Sequence, residues 1–262
     1  MKKCRMLLFD LDGTLLKSDK TISERTLSAL RKCSECGLLI GISTSRSEVN
    51  AEKFTMQIRP DIIISSGGAL INFKGKYIYK AEFSKEETRR IIDVIRSVCG
   101  RECEITADTP NAHYWNYKTD PQAQDKSWGD SIYTDFDNFE QCTLKICGEI
   151  FEESHAKEIM EKLDFCDCIR FTDGCWYKFT KKGITKERGV FEACAAAKIS
   201  PEEVTAFGDD LADIPMLKAC GLGIAMGNAV KEVKQAADIV IGGNDEEAIA
   251  KYLEENFPGI VG

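Results

Sequence analysis

The sequence predicts an α/β fold, with a doubly wound, mainly parallel sheet and an α+β module inserted into it. Short apolar runs alternate with amphipathic helical segments at both ends of the chain. The alternation stops near residue 84 and resumes after residue 181, with helix and hairpin segments between. Two apolar runs end abruptly in aspartates, at the point where open α/β sheets bind ligands. The first and last parts are therefore expected to form one sheet.

The elements of the first part follow from apolar periodicity and turn residues. Thr21 to Glu24 matches a capping box, and Gly37 ends the helix that it starts. The predicted strands are 6–9, 38–42 and 61–64, with a second helix running towards Pro60 and a hairpin formed by 69–73 and 77–79. Strands alternating with helices imply parallel crossovers and a Rossmann-like sheet.

The same signals, apolar periodicity and turn residues, predict the helices and strands of the middle and last parts of the chain. The middle predicts helices at 84–99 and 154–163 and strands at 103–106, 113–117 and 143–150, then a hairpin of 168–172 and 176–180 closed by Asp173-Gly174. The last part predicts helices at 185–197, 211–219, 229–236 and 246–257, and strands at 203–207, 222–226 and 238–241. We therefore expect a core domain of 1–82 and 182–262 and an inserted cap of 83–181.

Composition excludes several classes of function. The 262 residues are 43% apolar and 30% charged, which is typical of a soluble globular protein. The net charge of −8 disfavours nucleic acid. No apolar run is long enough to span a membrane, and the run after Met1-Lys2-Lys3 is too short for a signal peptide. We expect no membrane or obligate protein partner.

The twelve cysteines are expected to be reduced structural thiols. Most lie inside strand-like or helix-like segments, as small buried thiols do. Cys33 and Cys36 have the spacing of a redox or zinc pair, but no second pair or nearby histidine accompanies them. A cytoplasmic location follows as the expectation.

Acidic residues follow two predicted strands of the same sheet. Asp10 and Asp12 come directly after 6–9, and Asp209 follows 203–207, with Asp213 in the next helix. Buried carboxylates at one sheet edge are costly unless they hold a cation. Hard oxygen ligands favour magnesium, so we expect a Mg²⁺ site here.

Two further segments suit an anion. Thr44, Ser45 and Arg46 lie in a hydroxyl-rich turn at the start of a helix, where free backbone N–H groups could bind phosphate. The alternative is a plain N-terminal cap. Lys186 begins another helix, where its charge opposes the helix dipole and is explained by an anionic partner. The alternative is an ordinary surface lysine.

Taken in order, these stretches resemble the four motifs of the haloacid dehalogenase-like hydrolase superfamily. They are Asp10-Leu11-Asp12-Gly13-Thr14, then Thr44, then Lys186, and finally 208–213. The stretch 225–229 with 237–238 is similar to the Cof-type phosphatase branch. That branch carries an α/β cap between the second and third motifs, where this chain has its inserted module.

The resemblance implies a role for each motif residue. Asp10 is expected to be the nucleophile that forms an aspartyl-phosphate, and Asp12 the general acid and base. Thr44 and the N–H of Ser45 would hold phosphoryl oxygens, with Lys186 compensating their charge.

The resemblance also implies the metal ligands. Asp10, the backbone carbonyl of Asp12 and Asp209 would bind Mg²⁺, and Asp213 would orient them. Three residues depart from the branch: Ala212 and Gly67 stand where asparagine is common, and Ser45 where glycine is. We expect these departures to affect efficiency.

The resulting hypothesis is a Mg²⁺-dependent phosphatase acting on a small-molecule phosphate ester, with sugar phosphates as the expected class. The alternatives are a sugar phosphomutase-type phosphotransferase and a non-catalytic sensor of phosphate or Mg²⁺. Specificity is expected in the cap, where aromatic side chains either stack on a sugar or fill the cap's own core. They are His113, Tyr114, Trp115, Tyr117 and Trp176.

Overall fold

The computed structural model describes residues 4–117, 129–172 and 174–261. The chain forms two compact units. The core unit comprises the chain up to Ser45, Ala51–Tyr79 and the chain from Thr185 onward. The inserted unit comprises Arg46–Asn50 and Lys80–Ile184. Among the described residues, no helix combines the length and hydrophobicity needed to cross a bilayer.

The strands in chain order are β1 (Met6–Phe9), β2 (Leu39–Ser43), β3 (Ile62–Ser65), β4 (Leu70–Phe73), β5 (Lys76–Lys80), β6 (Ile105–Thr109), β7 (Ala112–Trp115), β8 (Ile132–Tyr133), β9 (Lys145–Glu149), β10 (Cys166–Arg170), β11 (Trp176–Lys181), β12 (Val204–Gly208), β13 (Leu222–Ala225) and β14 (Ile239–Val240). The helices are α1 (Glu24–Glu35), α2 (Glu48–Ile58), α3 (Lys85–Cys99), α4 (Glu153–Lys162), α5 (Lys186–Ala197), α6 (Ile214–Ala219), α7 (Lys231–Ala236), α8 (Ala248–Asn256) and α9 (Pro258–Val261).

The core sheet has the order β14-β13-β12-β1-β2-β3-β4-β5. β1 pairs in parallel with both β2 and β12, and Phe9 is level with Ile42 and Phe207. Because these three strands end together, the residues that follow them meet at one edge of the sheet. The hairpin of β4 and β5 turns through Lys74 and Gly75, both with positive φ.

Both faces of the core sheet are buried, and the side chains of β1 divide between them. Leu7 and Phe9 lie in the hydrophobic core that includes residues of α1, α2 and α8. Met6 and Leu8 lie in the core that includes residues of α5, α6 and α7. This arrangement explains why β1 is an unbroken apolar run, and it confirms the predicted doubly wound α/β fold.

The predicted capping box at Thr21 is wrong. The N-cap of α1 is Ser23, whose Oγ accepts a hydrogen bond from the N–H of Thr26 at 3.2 Å. The Thr21 hydroxyl instead donates to Asp19 at 2.6 Å. Threonine and serine are both favourable N-cap residues, so residue type alone does not decide which of Thr21 and Ser23 caps α1. The cap is the residue at which the chain enters the helix.

The inserted unit contains a sheet with the order β10-β11-β9-β6-β7-β8. One face packs on α3 and α4 through a core that includes Ile95, Ile159 and Phe179. The strand predicted at 103–106 is observed at Ile105–Thr109, because the Asn116 side chain bonds to the backbone of residues 103 and 105 on the preceding segment. Asp173, in the predicted β10–β11 turn, lies outside the described residues.

All twelve cysteines are free thiols. Burial raises the pKa of Cys33 to about 11, while Cys36 is exposed. A thiol with a raised pKa is a poor nucleophile and metal ligand, which favours a structural role for Cys33.

Candidate active site

Three carboxylates converge at the edge of the core sheet. Asp10 follows β1, Asp209 follows β12, and Asp213 ends the short 3₁₀ turn that precedes α6. One carboxylate oxygen of each lies within 4.8 Å of the others. Asp10 is 5% exposed and Asp213 fully buried. Sequence spacing placed these residues at one edge, and the register of β1 and β12 brings them together.

Lys186, the first residue of α5, joins two of these carboxylates. Its Nζ donates to Asp10 at 2.5 Å and to Asp213 at 2.6 Å. Burial alone would lower the pKa of this lysine, but the charges of Asp10 and Asp213 hold the pKa well above its usual value. Lys186 is therefore charged at neutral pH, and it is not an ordinary surface lysine.

The carboxylates remain crowded despite this lysine. Burial raises the pKa of Asp10 well above its ordinary value, against the opposing effect of Lys186, and Asp213 and Asp209 raise it further. Burial also raises the pKa of Asp209 to about 6, against the hydrogen bond from Thr14. Fully ionised, the group carries three negative charges against one positive charge. The difference of two charges suits a divalent cation with a preference for oxygen ligands.

The Asp213 carboxylate also organises the backbone of the site. Its Oδ2 accepts hydrogen bonds from the N–H groups of Asp209 and Asp210, each at 3.1 Å. A Cβ on Gly208 would lie 2.6 Å from the Asp213 Cβ, so only glycine fits there. The loop after β12 is thus held by the same carboxylate that binds Lys186.

Sequence reasoning assigned no role to Thr14, Gly13 or Asn228. The Thr14 hydroxyl donates to Asp209 at 2.6 Å. Gly13 has φ of +78°, and a Cβ there would overlap the Asp209 carboxylate. Asn228 donates to the Gly13 carbonyl at 2.8 Å. Gly13 and Thr14 lie in the first motif and Asn228 in the stretch 225–229, and these positions were the sequence signal for a role in the site. Their contacts, however, join residues about 200 positions apart and cannot be read from the sequence.

The Asp12 side chain is separate from the three-carboxylate group. It is 24% exposed and accepts an ion-pair hydrogen bond from Lys20 Nζ at 2.8 Å. The sequence resemblance implies that Asp12 binds Mg²⁺ through its backbone carbonyl and not through this side chain. The Asp12 carboxylate is therefore not a member of the group formed by Asp10, Asp209 and Asp213.

The predicted phosphate-binding turn follows β2. Thr44 is buried; its N–H donates to the Ile64 carbonyl, and its own carbonyl accepts from Gly67 at 3.0 Å. Gly67 has φ of 69°, which explains glycine at this position. Ser45 is half-buried and belongs to the core unit, whereas the buried Arg46 belongs to the inserted unit.

The aromatic residues predicted to set specificity have different surroundings. Tyr114 packs edge-on against Phe139 in the core of the inserted unit, so it has the structural role. Trp115 contacts Tyr117 and Trp176, with ring centroids 5.2 and 6.4 Å apart, and Tyr117 is exposed. Their part in specificity stays a prediction.

Comparison with known proteins identifies the family of this chain. The family model for haloacid dehalogenase-like hydrolases matches residues 7–253. A Bacillus subtilis 5-amino-6-(5-phospho-D-ribitylamino)uracil phosphatase is 26% identical, with 96% of this chain and 97% of the relative covered. Escherichia coli pyridoxal phosphate phosphatase is 24% identical, with 95% and 97% covered.

A solved structure of a HAD subclass IIB sugar phosphatase has the same fold, with a TM-score of 0.81, 25% identity and coverage of 97% of this chain and 99% of that chain. The chain belongs to the haloacid dehalogenase-like hydrolases and is a phosphoric monoester hydrolase.

Proposed function

We propose that this enzyme is a Mg²⁺-dependent phosphatase that hydrolyses small phosphorylated metabolites through an aspartyl-phosphate on Asp10. The observation that carries the proposal is the group of Asp10, Asp209 and Asp213 with Lys186 bonded to two of its members. A simple structural ion pair would need one carboxylate for one lysine. The two additional acids favour a bound cation and an anionic substrate.

The donor set fits magnesium. We assign Asp10, Asp209 and the Asp12 carbonyl as ligands, with Asp213 orienting them through its bonds to Lys186 and to the backbone N–H groups. When bound, Mg²⁺ would neutralise charge on the carboxylates and on the phosphoryl oxygens.

Asp10 is the proposed nucleophile. One of its oxygens attacks phosphorus, and the bond between phosphorus and the leaving oxygen breaks as the new one forms. A second attack, by water on phosphorus, releases inorganic phosphate and restores the Asp10 carboxylate. The attack needs electrostatic assistance, because a carboxylate about 3.5 Å from each negative charge of the phosphate is repelled by about 5 kcal/mol at an effective dielectric near 20. Lys186 supplies one compensating charge.

Asp12 is the proposed proton carrier. Its carboxyl would donate a proton to the leaving alkoxide and then take one from the attacking water. This carboxylate pairs with Lys20 and lies outside the group of Asp10, Asp209 and Asp213. We also assign Thr44, the Ser45 N–H and Arg46 to the phosphoryl oxygens.

Sugar phosphates are the proposed substrate class. The subclass IIB sugar phosphatase with the same fold and the phosphoribityl-processing relative support it. We further propose that the inserted unit is the cap predicted from the sequence. Twelve free thiols support a reducing compartment such as the cytoplasm.

The test is release of inorganic phosphate from a panel of sugar phosphates, nucleotides and phosphorylated vitamins, with and without Mg²⁺. We expect Mg²⁺-dependent turnover in the wild type, and its loss in Asp10→Asn and Asp12→Ala. Asp93→Asn is the matched control, because this exposed aspartate of α3 lies outside the carboxylate group. Folded protein that binds Mg²⁺ but turns over no substrate would instead favour the sensor or a transferase.

A further inference from the structure

Two asparagine side chains connect the β1 loop, residues 10–16, to the loops that follow β13 and β14. The Asn228 Nδ2 donates to the Gly13 carbonyl at 2.8 Å, and the Asn244 Nδ2 donates to the Leu16 carbonyl at 2.9 Å. The asparagines also contact each other, because the Asn244 N–H donates to the Asn228 Oδ1 at 3.0 Å. All four residues belong to the core unit. We call Asn228 and Asn244 the asparagine clamp.

The two partners of Asn228 fix the orientation of its amide. A backbone N–H can only donate and a backbone carbonyl can only accept, so Oδ1 must face Asn244 and Nδ2 must face Gly13. Turning the amide over would place donor against donor and acceptor against acceptor. An aspartate has no donor and a leucine has neither group, so neither residue of similar shape could make both bonds.

The peptide that follows Gly13 has weak support from its own loop. Its N–H, that of Thr14, donates to the Leu11 carbonyl at 3.4 Å, which is longer than an ordinary N–H···O bond. Gly13 has φ of +78° and lacks a side chain, so its backbone has more conformational freedom than that of other residues. The bond from Asn228, at 2.8 Å, is the shorter of the two. Asn228 therefore fixes the orientation of this peptide.

The second bond of the clamp acts across the loop from Asp12. Leu16 is buried, and it pairs with Asp12 in an isolated β-bridge. The Leu16 N–H donates to the Leu11 carbonyl at 2.8 Å, and the Leu16 carbonyl accepts the bond from Asn244. Asp12 thus lies between two held positions, since Gly13 follows it in sequence and Leu16 pairs with it.

The loops that carry the clamp are themselves fixed to the core sheet. The N–H of Met226 donates to the Gly208 carbonyl at 3.0 Å, and the N–H of Gly227 donates to the Gly242 carbonyl at 2.9 Å. A Cβ on Gly227 would lie 2.8 Å from backbone atoms of Gly242 and Gly243, so the loops after β13 and β14 pack closely. The clamp therefore joins the β1 loop to a rigid support.

The clamp lies at the surface, where a hydrogen bond adds little to stability. Asn228 is exposed, and Asn244 and Gly13 are partly buried. Loss of a partner is most costly where the remaining group is buried, and water can take the place of the amide here. Water cannot, however, hold the two carbonyls in one position. The clamp is therefore better explained by placement of the loop than by stabilisation of the fold.

We propose that Asn228 and Asn244 are positioning residues for the hydrolysis reaction, which hold the β1 loop so that the Asp12 carboxyl reaches the leaving oxygen. This role rests on the proposed function, in which the Asp12 carboxyl gives its proton to the leaving alkoxide as the bond from phosphorus to oxygen breaks. General acid catalysis requires the acid within hydrogen-bond reach of the atom that it protonates. A loosened loop would impair this step and leave the nucleophile in place.

The first test compares two esters of similar shape, p-nitrophenyl phosphate and benzyl phosphate. p-Nitrophenolate leaves without a proton, whereas the benzyl alkoxide needs one, so hydrolysis of benzyl phosphate depends more strongly on a general acid. We expect Asn228→Ala to lower kcat/KM about tenfold for benzyl phosphate and about threefold or less for p-nitrophenyl phosphate. Equal losses for the two esters, or wild-type values for both, overturn the proposal.

Asn256→Ala is the matched control. Asn256 is also exposed, and its Nδ2 donates to the Tyr252 carbonyl at 2.9 Å within α8. This variant removes a surface amide bond of the same kind and should keep wild-type kcat/KM for both esters. The Tm of Asn228→Ala should be close to that of Asn256→Ala. A much lower Tm in Asn228→Ala, with equal losses for both esters, would assign Asn228 a structural role only and overturn the proposal.

Asn244→Ala tests whether the two side chains act together. The change removes the bond to Leu16 and keeps the backbone N–H that donates to Asn228. We expect a smaller loss than in Asn228→Ala, about threefold in kcat/KM for benzyl phosphate. The double variant should lose less than the product of the single losses, because both side chains hold one loop. A loss equal to that product would overturn the assignment of Asn244.

Hydrogen exchange tests the clamp without turnover. In the metal-free full chain, Asn228→Ala should raise the amide exchange rate of the β1 loop about threefold to tenfold, measured by mass spectrometry, and Asn256→Ala should not. Unchanged exchange of this loop in Asn228→Ala overturns the proposal. If the wild type hydrolyses neither ester, the proposed function fails, and the exchange rates still decide whether the clamp holds the loop.

Discussion

Replacing Lys186 by methionine tests the electrostatics of the site. Methionine keeps most of the length and removes the charge bonded to Asp10 and Asp213. Breaking a buried ion pair by removing one partner costs about 3 to 5 kcal/mol. At about 2 to 4 °C per kcal/mol for a chain of this size, the Tm of the metal-free protein should fall by roughly 6 to 20 °C.

The same change should slow turnover. One compensating charge at about 4 Å and an effective dielectric near 20 contributes about 4 kcal/mol, which is about a thousandfold in kcat. We expect Mg²⁺ to restore part of the Tm and little of the activity. Differential scanning calorimetry and phosphate release, each with and without Mg²⁺, measure both effects.

Further variants isolate the cause. Lys186→Met combined with Asp213→Asn removes both ends of one pair and should recover part of the lost Tm. The loss in the single variant should also shrink as the pH falls, because Asp10 then protonates more readily. Lys182→Met is the control for loss of a nearby exposed lysine. A Lys186→Met enzyme with wild-type Tm and with kcat within about threefold of wild type would refute this electrostatic account.

Asp209, Gly208 and the cap of α1 offer three further tests. The pKa of Asp209 is raised to about 6, so the folded state binds a proton there more readily than the unfolded chain does. As the pH falls through about 6 towards about 4, the metal-free protein should therefore gain stability, while its affinity for Mg²⁺ falls. Unfolding and Mg²⁺ titrations at several pH values measure both effects. Gly208→Ala forces a Cβ against Asp213 and should lower both Tm and turnover, since overpacking costs about 1 to 3 kcal/mol. Ser23→Ala should destabilise the protein by about 1 kcal/mol in urea unfolding, and Thr21→Ala by much less, because Ser23 is the observed cap.

Each of these has a control and a contradicting result. In Asp209→Asn the gain in metal-free stability as the pH falls through about 6 should be smaller than in the wild type, because only Asp10 in the carboxylate group still has a raised pKa. An unchanged gain would assign it to a group other than Asp209. Gly259→Ala adds a Cβ in open space, so a Tm loss equal to that of Gly208→Ala would mean that crowding is not the cause. Equal effects of Ser23→Ala and Thr21→Ala would contradict the observed cap.

The sequence by itself determined the fold class and the residues of the carboxylate group. Strand runs that end in acids place those acids at one edge of a parallel sheet, whatever the details of packing. The apolar run of β1 likewise predicts burial on both faces, as Leu7 and Leu8 confirm. These are local patterns with a direct physical meaning.

Only the tertiary structure decided which partners these side chains have. The side-chain hydrogen bonds of the site depend on the direction of the chain and on the rotamer of each side chain. They join Lys186 to Asp10 and Asp213, Thr14 to Asp209, and Lys20 to Asp12. Segment boundaries also depended on such contacts, since Ser23 rather than Thr21 caps α1.

The sheet face of the inserted unit that carries Lys145, Lys178 and Asp108 illustrates the same limit. The segments that became β6, β9 and β11 were predicted as strands without their register, and a shift of one residue would exchange the two faces of a strand. The observed pairing places Lys145, Lys178 and Asp108 together and buries them. Burial changes a charge from a solvated surface feature into one that needs a partner, and burial is a property of the folded chain alone.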